Sequence, residues 1–348
     1  MEGAPKVAVL ILNWNKWQLT LECLESTLQN DYPNNEIVLV DNGSKDGSVE
    51  KVIAYCRGEV ETDSPYFAFD RHNKPVSVRV VKVNDDYDSQ EEGGFGTIAE
   101  GDHKITVLAA SQNHGYAEGN NIGMRFISLD KATKYILFMN NDVIVERRFL
   151  SSLVSVMEAS DVSVAMGSPK ILYYDYHGSH ETINNAGSFV GTRYLEGYKR
   201  GMGEIDKGQY ASHDKLDWAD GACFIMRTDA LKKTGGFDKA FFAYWEETDL
   251  SLRARRMGYS IVFIPESVIW HHESASIETE RKAYLMTRNR FLLIKKNGSR
   301  TDVLRFVSVF FSMKFFLVCA DYVKRGQFNC LKGVVRGSLA GLKISLKR

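Results

Sequence analysis

Apolar residues in this chain come in short continuous runs, and each run ends abruptly in polar side chains. Residues 135–139 (YILFM) are the clearest run and are typical of a strand buried on both faces. Asn140, Asn141 and Asp142 follow directly, and a buried strand would not carry such groups into a core without partners. Because ligands bind at the carboxyl ends of strands in open α/β sheets, Asp142 is a candidate ligand for a hard divalent cation. The alternative is a polar turn that caps the helix predicted over residues 146–158.

The first part of the chain shows the same arrangement twice. Apolar runs at residues 7–12 and 36–40 are predicted strands, and apolar residues at helical spacing over 16–29 place a helix between them. Strand, helix and strand within about 40 residues predict a parallel βαβ unit with a right-handed crossover. Asp41 follows the second strand, and Gly43 lets the next loop bend closely around a ligand.

Further elements predict a larger α/β protein. Additional strands are predicted at residues 105–109, 164–174, 184–194, 197–206, 217–226, 260–264 and 268–270, and helices at 117–129, 228–233 and 250–257. Residues 57–104 are less regular. Within them, residues 76–83 alternate in polarity and are expected as one arm of a hairpin, whereas residues 84–94 are acidic and glycine-rich, which is typical of a mobile surface insertion.

Composition and charge narrow the classes of function. The 348 residues are 44% hydrophobic and 25% charged, as in an ordinary soluble globular protein. Lys plus Arg and Asp plus Glu each total 44, so no overall field attracts nucleic acid or a membrane. The five cysteines lack CxxC spacing, which favours reduced thiols in a cytoplasmic protein over disulfides or a zinc site. The amino terminus has no signal-peptide pattern, so we expect no export.

Nine short motifs, in order from residue 12 to residue 289, together carry a resemblance to a known family. They are LNWN (12–15), VDNGSKDGS (40–48), NHGYAEGNN (113–121), FMNND (138–142), GA (221–222), GGFD (235–238), YWEETDL (244–250), WH (270–271) and RN (288–289). The chain resembles the inverting nucleotide-sugar glycosyltransferases of family 2, and within them the rhamnosyltransferase-like branch. The resemblance implies the GT-A fold, which is a Rossmann-like, mostly parallel central sheet flanked by helices. We expect a catalytic domain over residues 1–300, with an insertion at about 57–104, and a helical C-terminal appendage over 301–348.

The resemblance also implies a reaction and its cofactor. A sugar (rhamnose is one candidate) would move, with inversion, from a dTDP- or UDP-sugar to a glycan or lipid-linked glycan in cell-surface polysaccharide synthesis. Asp142 stands at the last position of the family's metal-binding motif, and His271 would join it around Mn²⁺ or Mg²⁺ with diphosphate oxygens and water. Glu247 matches the catalytic base, although the family more often has Glu-Asp at this point than Glu246-Glu247.

The same motif matches supply the remaining site residues. Asp41 matches the residue that reads the imide edge of a uracil or thymine base. The nucleotide is further expected to contact Asn13, Asn15, Asn113, Gly115, Asn121 and Asn141. The donor or acceptor sugar is expected at Asp220, Trp245, Glu246 and Asp249. Arg288 is expected on the diphosphate, although an arginine on a helix would equally be solvated or form a surface ion pair.

Two other classes of protein remain as alternatives. A catalytically inactive nucleotide-sugar or carbohydrate-binding module is supported by the amides at Asn140 and Asn141, where other members have aspartate, and by the departure at Glu247. The acidic residues 246–249 would also suit the first turn of a helix without any catalytic role. A dinucleotide-dependent oxidoreductase is disfavoured, because no GxGxxG follows the first predicted strand.

The tail beyond residue 300 has its own pattern. Residues 303–320 are largely apolar, but Arg305 and Lys314 interrupt them, so a poor membrane-spanning helix is expected. Basic residues continue to the end of the sequence, and helices with apolar and basic faces are typical of proteins that lie on an anionic membrane. The alternative is packing on the catalytic domain or across a homodimer interface. The expected location is the cytoplasm, with peripheral contact at the inner face of the plasma membrane if the tail binds lipid.

Overall fold

The computed structural model describes residues 3–84, 104–191, 196–273 and 279–346. The strands are β1 Lys6–Asn13, β2 Asn35–Asp41, β3 Val78–Lys82, β4 Ile105–Ala109, β5 Thr133–Asn140, β6 Val143–Val145, β7 Val164–Tyr173, β8 Ile183–Asn185, β9 Ser188–Gly191, β10 Glu196–Lys199, β11 Lys215–Leu216, β12 Cys223–Arg227 and β13 Ser260–His271. The helices are α1 Trp17–Leu28, α2 Ser48–Cys56, α3 Gly115–Ile127, α4 Phe149–Ala159, α5 Thr228–Thr234, α6 Glu246–Arg256, α7 Glu280–Asn297, α8 Arg300–Val309, α9 Phe315–Lys324 and α10 Phe328–Leu346.

A mixed sheet with helices on both faces forms the centre, in the order β11-β13-β7-β12-β5-β1-β2-β4-β3. The half from β5 to β3 is parallel throughout, whereas β12 runs antiparallel between β5 and β7. Successive side chains of a strand point to opposite faces, so Val9 of β1 joins one hydrophobic core and Leu10 joins the other. The predicted α/β class, with helices around a mostly parallel sheet, is confirmed.

The less regular region around residues 57–104 contributes to this sheet. The hairpin expected at residues 76–83 is wrong, because Val78–Lys82 form β3 and pair in parallel with β4 at the sheet edge. Alternating polarity identifies a half-buried strand but carries no information about its direction. The acidic, glycine-rich stretch lies outside the described residues from residue 85 onward. The strands expected over 184–194 and 197–206 are shorter, as β8, β9 and β10, and residues 192–195 are also outside the described part.

Two boundaries near Asp142 differ from expectation. The helix expected from residue 146 begins at Phe149, because β6 precedes it and pairs with the end of β13. The strands expected at 260–264 and 268–270 are one strand, whose register shifts between Ile264 and Val268. Pro265 cannot donate a hydrogen bond to a neighbouring strand, and a bulge around it lets β13 continue. The uninterrupted strand carries His271 to the edge where Asp142 lies.

The C-terminal residues form three long helical segments. A π-helical turn at Phe310–Lys314 joins α8 to α9, giving one continuous helix from residue 300 to 324. Its 25 residues include a window of mean hydropathy 1.9, so it is long and apolar enough to cross a membrane by length and composition. The expectation of a poor spanning segment rested on Arg305 and Lys314 within it, and it stays a prediction. Phe306 and Phe310 pack on Phe291 of α7.

The last helix, α10, packs along α7 through a row of glycines. A Cβ at Gly333 would lie 2.2 Å from the carbonyl oxygen of Glu280, and a Cβ at Gly341 would lie 2.3 Å from the ring of Phe291. A Cβ at Gly337, between them, would lie 2.7 Å from the carbonyl oxygen of Tyr284. The two helices therefore approach at a distance that no side chain at these positions would permit.

Candidate active site

The carboxyl ends of β1, β2 and β5 bring the expected nucleotide residues together. Asn13 Nδ2 donates to Asp41 Oδ1 at 2.7 Å, and Asn13 Oδ1 accepts from Asn141 Nδ2 at 3.0 Å. The hydroxyl of Thr20 donates to the same oxygen of Asn13 at 2.8 Å. Because β1 and β2 pair in parallel with Asn13 opposite Asp41, the two side chains meet at one sheet edge, where ligands bind in this class of fold.

The loops after β1 and β2 close around Asp41. The backbone N–H of Ser44 donates to Asp41 Oδ2 at 3.1 Å, and the Ser44 hydroxyl accepts from the backbone N–H of Asn15 at 2.8 Å. The Asn15 side-chain oxygen accepts from the backbone N–H of Lys45 at 2.9 Å. Each oxygen of the Asp41 carboxylate carries one of these bonds, and a carboxylate oxygen can accept two. Asp41 is therefore held in place with acceptor capacity left over.

A buried amide that the sequence did not single out fixes the loop before α3. Asn42 Nδ2 donates to the carbonyl oxygen of Gly115 at 3.0 Å, and Asn42 Oδ1 accepts from the backbone N–H of His114 at 3.0 Å. Asn113 accepts from the backbone N–H of Gly115 at 2.7 Å. Asn42 belongs to the motif at residues 40–48 and directly follows Asp41, so its place after a strand end was a usable signal.

Two expected site residues make scaffold contacts instead of lying at the strand ends. The Asn121 side chain exchanges two hydrogen bonds, of 2.9 and 3.0 Å, with the backbone of Phe237. Asp249 is buried, pairs with Arg253 at 2.8 Å and accepts from Asn297 Nδ2 at 2.8 Å. The ligand contacts expected of Asn121 and Asp249 stay predictions.

The ends of β5 and β13 bring Asp142 and His271 together, with Asp142 Oδ1 3.1 Å from His271 Nε2. Burial alone would raise the pKa of Asp142 and lower that of His271. Their mutual attraction outweighs burial, so the pKa of Asp142 is lowered and that of His271 is raised. His271 Nδ1 is buried and has no hydrogen-bond partner among the described residues.

This pair fits part of a divalent-cation site. A carboxylate oxygen and an imidazole nitrogen are both ligands that Mn²⁺ accepts, and a substrate diphosphate with water would have to complete the shell. No group of three or more His, Cys, Asp or Glu is gathered for a metal within the part of the chain that the structure describes. The protein alone therefore offers two donors at this point.

The neighbour of His271 has a structural role. His272 Nε2 lies 3.1 Å from Glu22 Oε2, and the His272 ring stacks on Tyr174 at a centroid separation of 3.5 Å. The Tyr174 hydroxyl donates to the other oxygen of Glu22 at 2.9 Å. These contacts hold the end of β13 against α1, and thereby orient His271.

Glu247 lies in the first turn of α6, half-buried beside Gly221. A Cβ at Gly221 would lie 3.3 Å from Glu247 Cγ, so the glycine leaves room for the carboxylate. Burial raises the pKa of Glu247 to about 7, and the charge of Asp220 adds to this effect. The backbone N–H of Glu247 itself, the hydroxyl of Thr248 at 3.0 Å and the cation of Lys199 act in the opposite direction. A carboxylate that titrates near neutrality suits a general base.

The adjacent Glu246 is a different kind of acid. It is 3% exposed, and its Oε2 is buried without a hydrogen-bond partner among the described residues. Burial, followed by the charge of Glu247, raises the pKa of Glu246 well above its ordinary value. Glu246 is more deeply buried than Glu247, so burial disfavours its ionised form more strongly. The indole N–H of Trp245 is likewise buried without a partner there.

Asp220 anchors a small charged cluster next to Glu247. Lys199 Nζ lies 2.8 Å from Asp220 Oδ2, and Asn185 Nδ2 donates to the same oxygen at 2.7 Å. Burial would raise the pKa of Asp220, but Lys199 and the hydrogen bonds lower it to about 2. Asp220 and Lys199 also act electrostatically on His271, so they connect the base to the Asp142–His271 pair. The sequence did not identify Lys199 or Asn185, because neither lies in a motif.

The segment that leads into Glu247 has an unusual backbone. Phe242, Tyr244 and Trp245 have φ values of 66°, 73° and 75°. Residues other than glycine rarely adopt this left-handed region. Such conformations persist only where the surroundings impose them, and they concentrate at functional sites.

Helix α7 imposes this conformation. Asn289 is fully buried, and its Nδ2 donates at 2.8–2.9 Å to three carbonyl oxygens of the segment, those of Phe241, Ala243 and Tyr244. Arg288 Nη2 donates to the carbonyl oxygens of Ala240 at 2.7 Å and Phe241 at 3.0 Å. Arg288 thus contacts the backbone of this segment, and its expected contact with a diphosphate stays a prediction.

Two models of known protein families match this chain. Residues 8–75 match the model of glycosyl transferase family 2, and residues 75–291 match that of glycosyltransferase like family 2. The chain belongs to glycosyltransferase family 2. The membership expected from the motifs is confirmed.

Curated relatives of this family 2 glycosyltransferase include a hexosyltransferase and a rhamnosyltransferase. Low-salt glycan biosynthesis hexosyltransferase Agl10 of Haloferax volcanii is 25% identical over 244 residues, which cover 66% of this chain and 76% of Agl10. Rhamnosyltransferase WbbL of Escherichia coli is 24% identical over 206 residues, or 57% of this chain and 77% of WbbL. Rhamnosyltransferases are therefore among its relatives, as the motifs indicated.

Solved structures confirm the GT-A fold. Mannosyltransferase PcManGT from Pyrobaculum calidifontis, in complex with GDP-Man and Mn²⁺, has a TM-score of 0.54 at 13% identity, over 98% of this chain and 88% of PcManGT. GalNAc-T7, with UDP, GalNAc and Mn²⁺, has the same TM-score and identity over 85% of this chain. The match covers 48% of the GalNAc-T7 chain, so this protein spans about half of that one.

Proposed function

We propose that this family 2 glycosyltransferase moves a hexose, with rhamnose as one candidate, from a UDP- or dTDP-sugar to a glycan or lipid-linked glycan with inversion. The observation that carries the proposal is Glu247, a half-buried carboxylate whose pKa is raised to about 7 beside the Asp220–Lys199 pair. The catalytic unit would span residues 1–300, including the insertion at about 57–104, with residues 301–348 as a tail. A relative named as a glycan biosynthesis hexosyltransferase and another named as a rhamnosyltransferase support a role in the synthesis of cell-surface polysaccharide, for which the expected location is the cytoplasm.

The strand ends would bind the nucleotide. Asp41 is fixed by Asn13 and by the backbone of Ser44, and its free acceptor capacity suits the imide N–H of a uracil or thymine ring. A hydrogen bond to a charged acceptor contributes about 1.5–3 kcal/mol, so this contact would dominate recognition of the base.

Asp142 and His271 would hold a divalent cation, Mn²⁺ or Mg²⁺, together with oxygens of the donor diphosphate. His271 must release the proton on Nε2 to act as a ligand, so its present bond to Asp142 would be exchanged for the cation. When bound, the cation supplies positive charge that stabilises the leaving diphosphate. The two structural neighbours that were solved with Mn²⁺ support this assignment.

Glu247 would act on the acceptor. Its ionised carboxylate takes the proton of the acceptor hydroxyl as that oxygen bonds to the anomeric carbon, and the bond from this carbon to the diphosphate oxygen breaks. One in-line displacement of this kind inverts the anomeric configuration. Asp220, ionised and paired with Lys199, helps to keep the pKa of Glu247 near neutrality.

The variant Glu247→Gln tests the base. The amide keeps the size of the side chain but cannot accept the proton, so kcat should fall by about 10²–10⁴-fold with little change in donor affinity. Glu266→Gln, an exposed glutamate paired with His213, is the matched control. Wild-type turnover by Glu247→Gln, or a product whose anomeric configuration by NMR equals the donor's, would exclude this role. A wild-type chain that binds donor with Mn²⁺ but neither transfers nor hydrolyses it would be a binding module.

The variant Asp142→Ala tests the cation site. Removing one of two protein donors should abolish the increase in nucleoside diphosphate affinity that Mn²⁺ produces, as measured by titration calorimetry, while the melting temperature of the free protein stays close to wild type. Asp229→Ala, at a side chain that is 91% exposed, is the control. An unchanged affinity for the diphosphate with Mn²⁺ would refute the assignment of Asp142.

A further inference from the structure

The continuous helix of residues 300–324 presents apolar side chains to solvent. Met313, Phe316, Leu317 and Ala320 follow one another at helical spacing, and all four are exposed. Phe316 is 63% exposed and Leu317 is 57% exposed. Leu304, near the amino-terminal end of the same helix, is 70% exposed. Within this helix, only 17% of the most apolar 18-residue stretch is buried. The face that packs on α7 is therefore not the only apolar face of this helix, and a soluble surface seldom exposes so much apolar area in one place.

The C-terminal part of the sequence that contains this helix is strongly basic. Residues 301–348 contain nine Lys or Arg and two Asp, a local net charge of +7 in a chain whose overall net charge is zero. The last acidic residue of the chain is Asp321. The exposed positions of α10 alternate between apolar and basic side chains. They include Phe328, Lys332, Val335, Arg336, Leu339, Lys343 and Leu346.

We propose that this tail surface, formed by the exposed side chains of residues 300–346, docks on an anionic lipid bilayer. Apolar side chains would enter the acyl boundary, and the cations would contact lipid phosphates, as in amphipathic helices that lie in a membrane interface. The local charge of +7 favours this partner over a second copy of the chain. Self-association through the same surface would bring two strongly positive patches together.

The tail surface lies along the membrane and does not cross it. At about 1.5 Å per residue, a helix of 25 residues is long enough to span the hydrocarbon core. However, Lys314 lies near its middle, and a charge at the bilayer centre is costly. Phe306 and Phe310 also pack on the fully buried Phe291 of α7, so insertion would either uncover Phe291 or draw the basic helix α7 into the bilayer.

Flotation of the full-length protein with lipid vesicles tests the proposal. The protein should float with vesicles of phosphatidylcholine and phosphatidylglycerol at low salt, and less with phosphatidylcholine alone or at high salt. The double variant Phe316→Glu/Leu317→Glu should weaken binding by roughly ten- to a hundredfold, because two apolar side chains no longer insert. Val162→Glu, at a 75% exposed residue outside the tail, should bind like wild type.

The cations are tested separately. Lys332→Ala and Lys343→Ala, both at exposed positions of α10, should each weaken binding to anionic vesicles by about fivefold at low salt. Lys233→Ala, at an exposed position outside the tail, is the control. The inference does not depend on the proposed catalytic roles, because its readout is binding and not sugar transfer.

Three outcomes would overturn the proposal. One is a full-length protein that stays unbound with anionic vesicles at low salt. Another is a Phe316→Glu/Leu317→Glu double variant that binds like wild type while remaining folded by circular dichroism. The third is a protein that forms dimers without lipid, fails to float, and becomes monomeric in the double variant, which would identify the tail surface as a dimer interface.

Discussion

The two ends of the candidate site are built by different means. At the nucleotide end, Asn13, Asp41 and Asn141 follow neighbouring parallel strands, and the register of the sheet brings them into contact. At the base end, Glu247 follows a segment with three left-handed residues, which Asn289 holds from a helix 45–48 positions later in the chain. The sheet thus positions one set of side chains through regular backbone, and a remote amide positions the other.

This difference has a consequence for robustness. The strand-end side chains rest on a buried parallel sheet, whose hydrogen bonds persist when one site residue changes. The base segment adopts conformations that cost about 1–3 kcal/mol each, and they persist only while α7 imposes them. Changes in α7 should therefore affect the base end and leave the nucleotide end intact.

Asn289→Ala should break the base end. Three carbonyl oxygens would lose a donor, and of these the oxygen of Phe241 would keep its bond from Arg288, so the free energy of unfolding should fall by about 2–4 kcal/mol. The segment before Glu247 would then relax, so kcat should fall more than tenfold. Donor affinity, measured by calorimetry below the melting temperature, should stay close to wild type. Asn329→Ala, at an exposed asparagine of α10, serves as the control. A variant that loses donor affinity and kcat equally would show that the two ends are not independent.

Asp41→Asn should weaken the nucleotide end alone. The amide would present N–H groups where Asn13 and the Ser44 backbone already donate. The site would also lose its charged acceptor for the uracil or thymine ring. Affinity for the nucleoside diphosphate should fall by about 10–100-fold, with kcat at saturating donor near wild type. Steady-state kinetics over a range of donor concentrations separates the two parameters. A fall in kcat at saturation, with KM unchanged, would contradict the assignment.

The pH dependence of kcat/KM sharpens the description of the base end. Because the base works in its ionised form and the pKa of Glu247 is about 7, kcat/KM should rise by about tenfold per pH unit below that value and level off above it. Lys199 lowers the pKa of Glu247, so Lys199→Met should move the rising part of the kcat/KM profile to higher pH. If the rise in kcat/KM occurs at the same pH in Lys199→Met as in the wild type, a group other than Glu247 causes it.

The sequence predicted the parts of the site that depend on strand ends. An apolar run followed by a polar residue reports both the strand and the edge at which the residue emerges, which is why Asn13, Asp41 and Asp142 were found. His271 was expected from the family resemblance, and the bulge at Pro265 concealed that the strand before it is continuous. The direction of β3 was missed, because the alternation of polar and apolar residues carries no information about strand direction.

Contacts between distant segments were not accessible in this way. Lys199 and Asn185 lie on short strands in a glycine-rich region, and nothing local indicates that they meet at Asp220. Arg288 and Asn289 were recognised as a motif, but the sequence did not reveal that they hold the backbone before Glu247. The roles assigned to Glu247, Asp142 and Asp41 toward their ligands remain predictions until the variants are measured.

The row of Gly333, Gly337 and Gly341 constrains how this protein can be redesigned. Added atoms at these positions would meet the backbone or ring of α7, so the inner side of α10 admits almost no variation in sequence. On its outer side Leu339 and Lys343 are exposed, so the packing of α10 on α7 does not depend on them. A designer could therefore retarget the last helix to another surface by changing only its outward residues, provided that the glycine spacing is copied unaltered.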